Sequence, residues 1–449
     1  MKIILSIIIL ISLSKISSSQ ELKRRAYLGV YGTEITDSVA NIYNINSGIN
    51  IDSLTNISLT KKHKLVPADI LLSINGNDVK TLQDLKHQVS LSSEGDKVNF
   101  KIIRKGKIKE ITGIYPVFPF EESETHEIIY DKFEFDGGYI RVIIDKPKGQ
   151  DKLPAILFIQ GYTCSSIDNV GDKHPYIQLV KGLCEKGYVV MRIEKPGIGD
   201  CNNITKCNDI DFKTENEAFL KGLQKLKSYD FVDTSKVFIW GHSLGGITAP
   251  IIANQEKVKG IIVYGTTLKP WREYLVEMFR VQNPLFGIDY VENENNMLDY
   301  YKLIHSLFID KNKPSIIEKD STLSTILKEL MLYNGDERIW GRNYKAFVQI
   351  DDYNLTECWS KTDANVLVFW ADADIEAFSR YDHETIVDVV NHYHPGKGKF
   401  IHLKNTTHAF AKVKSMQHGI ENRSWKYLTE NFNEEIIFKT DEWIKEFIK

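Results

Sequence analysis

Two hydrophobic rhythms divide the chain. Between about Arg25 and Val117, short runs alternate apolar and polar residues: "YLGV" (Tyr27 to Val30), "ADILLSINGNDV" (Ala68 to Val79) and "KVNFKIIRKGKIKEI". Alternation with period two marks half-buried strands, and Asn75-Gly76 and Lys105-Gly106 mark tight turns between them. One stretch departs from that period. In "TLQDLKHQV" Leu82, Leu85 and Val89 fall at helical spacing, with Thr81 placed to cap the first turn.

From about Glu127 the rhythm changes. A hairpin, "EIIYDKFEF" and "YIRVIIDKP", turns at Asp136-Gly137-Gly138. Unbroken apolar runs follow: "AILFIQG", "YVVMRIEKP", "KVFIWGHS", "GIIVYG", "NVLVFWADAD" and "KFIHLKN". Runs rich in β-branched and aromatic residues are strands buried on both faces of a mainly parallel sheet. Amphipathic helices, such as "YIQLVKGLCEKG" and "TENEAFLKGLQKLKSY", fit between them. The expected architecture is α/β, with functional residues beyond the C-terminal ends of the strands. Residues 267–362 interrupt the alternation with "WREYLVEMF", "MLDYYKLIHSLF", "STILKELML" and "IWGRNYKAFVQI". A structureless loop of that length is implausible in a compact domain, so a helical cap insertion is expected. The acidic, proline-containing connector "PVFPFEESE" then separates a small β-rich domain, residues 25–117, from a large one, residues 125–449.

Composition adds little to this division. Of 449 residues, 42% are hydrophobic and 11% aromatic, enough for large cores, and the net charge of −3 gives no field for nucleic acid. The first residues change the picture more. Lys2 precedes the apolar run "IILSIIILISL", and the small polar stretch "SKISSSQ" follows. Residues 1–19 therefore read as a signal peptide, too short in its apolar part to span a bilayer as a helix. A secreted or periplasmic protein, with no stable membrane span after cleavage, is expected. Export permits disulfides among Cys164, Cys184, Cys201, Cys207 and Cys358. Cys201 and Cys207 close a short loop, and Cys164 lies in a loop expected nearby. No CxxC spacing points to a metal.

The chemistry concentrates in "WGHSLGG". Gly241-x-Ser243-x-Gly245 follows an expected strand and precedes an expected helix, the context of a nucleophile elbow. A serine hydroxyl needs a base, and that base needs an orienting group. On such a fold the order along the chain is Ser, then acid, then His. "VLVFWADAD" supplies Asp372 and Asp374, and "IHLKNTTHAF" supplies His408. Asp374 is favoured as the acid by its place past the strand, and Asp372 remains the alternative, as a turn or supporting residue. Backbone N–H groups of Leu244 and of Tyr162, in "FIQGYTCSS", are the expected oxyanion donors. Asp200 in "EKPGIGD" reads as a turn cap, His392 and His394 as solvent-facing, and "RYDHE" (Arg380 to Glu384) as a possible lining. No cofactor or metal is expected.

The small domain resembles PDZ domains of the bacterial protease-associated kind, on "YLGV", "ADILLSINGNDV" and the "RKG" hairpin. That resemblance implies that the loop at Leu28 and Gly29 receives a peptide C-terminus, the peptide adding as a strand. "SLTNISLTKKHKLVPADI" departs from the family pattern, and a domain that only frames the neighbouring active site is the other reading. The large domain resembles the α/β-hydrolase superfamily. On "GYTCSS", "EKPGIGDC", "CNDIDF", "VFIWGHSLGG" and the late "DHE…HPG…H" it is similar to exported dienelactone-hydrolase-like and serine-aminopeptidase-like enzymes. This implies a metal-free serine hydrolase using Ser243, Asp374 and His408 on a small ester or peptide-like substrate. It also implies a Cys164–Cys207 disulfide, with Cys201–Cys207 as the alternative. A non-catalytic scaffold with an inert hydrolase domain is the competing function.

Overall fold

The computed structural model describes residues 22–55, 61–149 and 152–448. The segment expected to be a signal peptide lies outside them. The chain divides into two compact units, residues 1–117 and 118–449.

The first unit is an antiparallel sheet of β1 (Val30–Glu34), β2 (Ile49–Leu54), β3 (Ile70–Ile74), β4 (Asn77–Asp78), β5 (Lys97–Arg104) and β6 (Lys107–Ile114). Its order is β1-β2-β3-β5-β6, with β4 paired to β3. Period-two burial is clear in β5, where Val98, Phe100 and Ile102 enter the core between exposed Lys97, Asn99 and Lys101. The helix Leu82–Ser90 starts at Thr81 with a reciprocal capping box to Asp84. Two orphan N–H groups of its first turn are satisfied in this way.

The second unit holds an eight-stranded sheet. Its strands are β7 (His126–Phe135), β8 (Gly138–Pro147), β9 (Leu153–Ile159), β10 (Val189–Ile193), β11 (Val232–His242), β12 (Gly260–Tyr264), β15 (Asn365–Ala371) and β16 (Gly398–Leu403). The order is β16-β15-β12-β11-β9-β10-β8-β7. All pairs from β16 to β10 are parallel, and β8 and β7 are antiparallel additions at one edge. Successive residues of β9 serve opposite faces: Ala155, Leu157 and Ile159 join one core, Ile156 and Phe158 the other. A strand with both faces covered has no polar position, which is why the sequence reads as an unbroken apolar run.

Between β12 and β15 the chain forms the helices Trp271–Leu285, Tyr290–Ile304, Ser321–Met331, Tyr344–Asp351 and Leu355–Ser360. A small hairpin of β13 (Arg338–Ile339) and β14 (Arg342–Asn343) interrupts them. The sequence reading had only helices in this region. The hairpin escapes periodicity because each strand is two residues long, with Trp340 and Gly341 at φ 48° and 75° forming the turn.

Cys164 and Cys207 are bonded, with Cα atoms 5.7 Å apart, while Cys184, Cys201 and Cys358 are free. Among the described residues no helix is long and apolar enough to cross a membrane.

Candidate active site

Ser243 sits between β11 and the helix Leu244–Ala253 at φ 55°, ψ −122°. This conformation costs a non-glycine residue about 1–3 kcal/mol and persists only where the surroundings impose it. Here the Ser243 N–H donates to the Tyr264 carbonyl at 2.9 Å. The flanking glycines are required by contact. A Cβ on Gly241 would lie 2.4 Å from the Gly245 oxygen, and one on Gly245 would lie 2.3 Å from the Ile159 oxygen. Any side chain at either position would force the turn open and withdraw the hydroxyl.

The structure brings His408 and Asp374 together. Asp374, 1% exposed, accepts from His408 Nδ1 at 2.8 Å through Oδ2. Its other oxygen accepts from the backbone N–H groups of Glu376 and Ala377, each at 2.8 Å. Burial pushes the Asp374 carboxyl up, but His408 and these N–H groups outweigh it and hold it below the usual range. With Nδ1–H committed to a carboxylate, Nε2 is the nitrogen of His408 free to take a proton. That nitrogen lies 3.3 Å from Glu376 Oε2. Burial alone would depress the His408 pKa, yet the Asp374 and Glu376 carboxylates raise it to about 9.

His242 buttresses the same loop. It is buried, accepts from the Tyr176 hydroxyl at Nδ1 (2.7 Å) and donates from Nε2 to the His408 carbonyl (3.0 Å). Burial and the neighbouring His408 push its pKa well down, so the ring stays a neutral strut. Asp372 does not reach His408. It accepts from His402 Nε2 at 3.0 Å and from the Asn405 N–H, tying down the loop that carries His408.

Ser243, His408, Gly161, Tyr162 and Leu244 line one cavity of about 760 Å³. Gly161 packs against the serine closely enough that a Cβ there would stand 3.1 Å from Ser243 Cβ. Leu244 N–H opens its helix, where no intrahelical acceptor exists. Much of the remaining wall comes from the insertion, including Trp271, Tyr274, Phe279, Trp340 and Phe347. They make a broad apolar surface beside the serine.

Asp200, read from the sequence as a turn cap, is 4% exposed and pairs with Arg141 at 3.0 Å. His394 is not simply solvent-facing, because its Nε2 bonds the Ser360 carbonyl at 2.9 Å. Asp382 and His383 are buried, bracing Thr267 and Thr266 beyond β12. Among the described residues no group of three or more His, Cys, Asp and Glu could hold a metal ion. Glu376 and His242 were missed by sequence reasoning. Glu376 carries no motif signal, and His242 reads only as the variable residue of G-x-S-x-G.

The PDZ domain family matches residues 26–112, and the prolyl oligopeptidase family matches residues 181–315. Esterase EstD of Thermotoga maritima is 24% identical over 233 residues, 46% of this chain and 55% of that one. A probable periplasmic serine endoprotease, DegP-like, of Hahella chejuensis is 32% identical over 85 residues, 18% of each chain. This chain thus spans about half of the esterase and less than a fifth of the protease. Among solved structures, Est1E of Butyrivibrio proteoclasticus with bound ferulic acid aligns with 71% of this chain and 99% of its own, at 18% identity and a TM-score of 0.46. Topology and family matches together define the class. They agree on an α/β-hydrolase fold for the second unit, preceded by a PDZ domain match in the first.

Proposed function

We propose that the protein is an exported serine hydrolase that cleaves an ester or peptide-like bond through an acyl-enzyme. Ser243 Oγ attacks the substrate carbonyl carbon while His408 Nε2 takes the hydroxyl proton. Asp374 holds the imidazole through Nδ1 and stabilises the imidazolium. The N–H groups of Tyr162 and Leu244 receive the oxyanion. His408 then returns the proton to the leaving group as the carbon–heteroatom bond breaks, and water, activated by the same nitrogen, releases the acid. The observation that carries this reading is the Asp374–His408 bond of 2.8 Å, with the imidazole's other nitrogen in the cavity that Ser243 also lines.

Export is supported by the Cys164–Cys207 disulfide, a bond favoured in oxidising compartments, and by the periplasmic names of the PDZ-containing relatives. Peptide capture is supported by the outer edge of β1, which among the described residues pairs with β2 alone.

A fluorophosphonate probe tests the nucleophile. Wild type is expected to label and Ser243→Ala is not; an unlabelled wild type would point instead to an inert hydrolase domain. Turnover of aryl esters against aminoacyl and dipeptidyl amides then assigns the bond cleaved.

A further inference from the structure

Beneath the loop Gly161–Tyr162 lies a cluster of three charged side chains, all at most 2% exposed: Lys195, Glu215 and Arg342. Lys195 follows β10, Glu215 lies on the helix Phe212–Lys227, and Arg342 is the first residue of β14, inside the insertion. Glu215 joins the two cations, with Oε1 2.8 Å from Lys195 Nζ and Oε2 2.6 Å from Arg342 Nη2. Each cation also reaches the loop. Lys195 Nζ donates to the Gly161 carbonyl at 2.5 Å, and Arg342 Nη1 donates to the Tyr162 carbonyl at 3.1 Å.

Such a cluster needs a reason other than stability. Taking three charges out of water costs several kcal/mol per ion, and well-packed apolar residues in their place are often neutral or stabilising. Burial drives the Lys195 ammonium down to about 8, against the pull of Glu215. Burial pushes Glu215 up, but Arg342 and Lys195 hold its carboxyl below the usual range.

The geometry of the peptide unit supplies the reason. A carbonyl and the following N–H share one plane and, in a trans peptide, point in opposite directions; no peptide bond here is cis. Drawing the Gly161 oxygen down onto Lys195 therefore turns the Tyr162 N–H away from Lys195, on the face of the loop that Ser243 packs against. The Arg342 bond to the Tyr162 oxygen fixes the next plane in the same sense. With one carboxylate between two cations, the cluster also leaves a positive charge beneath the position where the oxyanion forms.

We propose that Lys195, Glu215 and Arg342 are positioning residues that orient the oxyanion donor at Tyr162, so that the insertion contributes to the catalytic step through Arg342. This rests on the serine-hydrolase reading above. It makes the hairpin β13–β14 part of the machinery, although Arg342 is distant from Ser243 in sequence.

Lys195→Met, Arg342→Met and Arg342→Lys, assayed in the full chain with an aryl ester, test the assignment. Lys195→Met leaves Glu215 paired with Arg342, so no lone charge is buried. Arg342→Lys keeps the charge without the two-pronged fork. The expected result is a fall in kcat of about 10- to 100-fold with KM within about twofold. Affinity for an aryl boronic acid, whose tetrahedral adduct places an oxygen in the same hole, should fall in parallel. Arg342→Lys should recover part of what Arg342→Met loses. Unchanged kcat and boronate affinity in folded variants, or a lower melting temperature as the sole effect, would overturn the proposal. If Lys195→Met does not fold, the two Arg342 variants decide by the same criteria. A wild type that fluorophosphonate does not label would instead remove the hydrolase reading, and this proposal with it.

Discussion

At the scale of single residues, the site's most consequential contact is one that motif reading does not reach. Glu376 stands 3.3 Å from the nitrogen of His408 that is the base in the proposed mechanism, on a side chain about half exposed. Asp374 was legible because its place past a strand and before the histidine is a rule of chain order. Glu376 became visible only once its own N–H and that of Ala377 were seen to fold back onto Asp374 Oδ1, turning the chain at the cavity. With a raised pKa of about 9, His408 is protonated in the free enzyme at neutral pH. A base must be unprotonated, so kcat/KM is expected to climb with pH and level off above about 9. Removing one of the carboxylates that raise the pKa moves this limb to lower pH. Glu376→Gln should therefore increase turnover at pH 7 severalfold while changing little on the alkaline plateau. Aryl-ester pH–rate profiles of both proteins measure this; a limb that stays in place or moves to higher pH would refute the role given to Glu376.

At the scale of elements, the strands announced themselves and the loops between them did not. Double-sided burial made β9 to β12 readable as apolar runs, and the turn signals at Asn75-Gly76 and Asp136-Gly137 placed two hairpins, with φ positive at all four residues. The loop after β9 is a different matter. Its shape is set by partners remote in sequence: Lys195, Arg342 and a disulfide to Cys207, which opens the 3-10 turn Cys207–Asp209. The family resemblance implied the disulfide, whereas nothing local signalled the two cations. Closing 43 residues of chain restricts the unfolded ensemble, an effect of about 4 kcal/mol in the loop-entropy treatment. Because Cys164 lies two residues beyond Tyr162, the bond should matter to rate as well as stability. Cys207→Ser is expected to lower the denaturant midpoint and to reduce kcat more than it alters KM. Urea unfolding together with steady-state kinetics measures both. A purely structural tether would leave the kinetics of the folded enzyme untouched.

At the scale of the whole molecule, two units with separate cores each carry a loop whose carbonyls are taken by buried donors. In the second unit, buried cations draw carbonyls down and leave N–H groups facing the cavity. In the first unit His63, fully buried, donates from Nε2 to the Leu28 carbonyl at 2.7 Å and accepts the Leu65 N–H at Nδ1. Burial lowers its pKa, which keeps the ring neutral and this donor arrangement fixed. The Gly29 carbonyl is likewise taken, by the Thr55 N–H at 2.9 Å. By the same peptide-plane argument, the Gly29 N–H points away from His63 and the Val30 N–H away from β2. Those two N–H groups face the edge of β1 that pairs with no strand among the described residues, beside which a peptide strand could add. A terminal carboxylate there would accept charge-assisted bonds worth about 1.5–3 kcal/mol each, so losing the charge should cost tenfold or more in affinity. A fluorescent decapeptide ending in a free valine is the probe, titrated against the full chain carrying Ser243→Ala to prevent cleavage. The acid is expected to bind and its C-terminal amide to bind at least about tenfold more weakly. His63→Ala, which frees the Leu28 carbonyl, should narrow that gap by weakening the acid alone. Equal anisotropy curves for acid and amide would instead mean that the open edge receives no peptide terminus, and that the first unit's loop serves only its own fold.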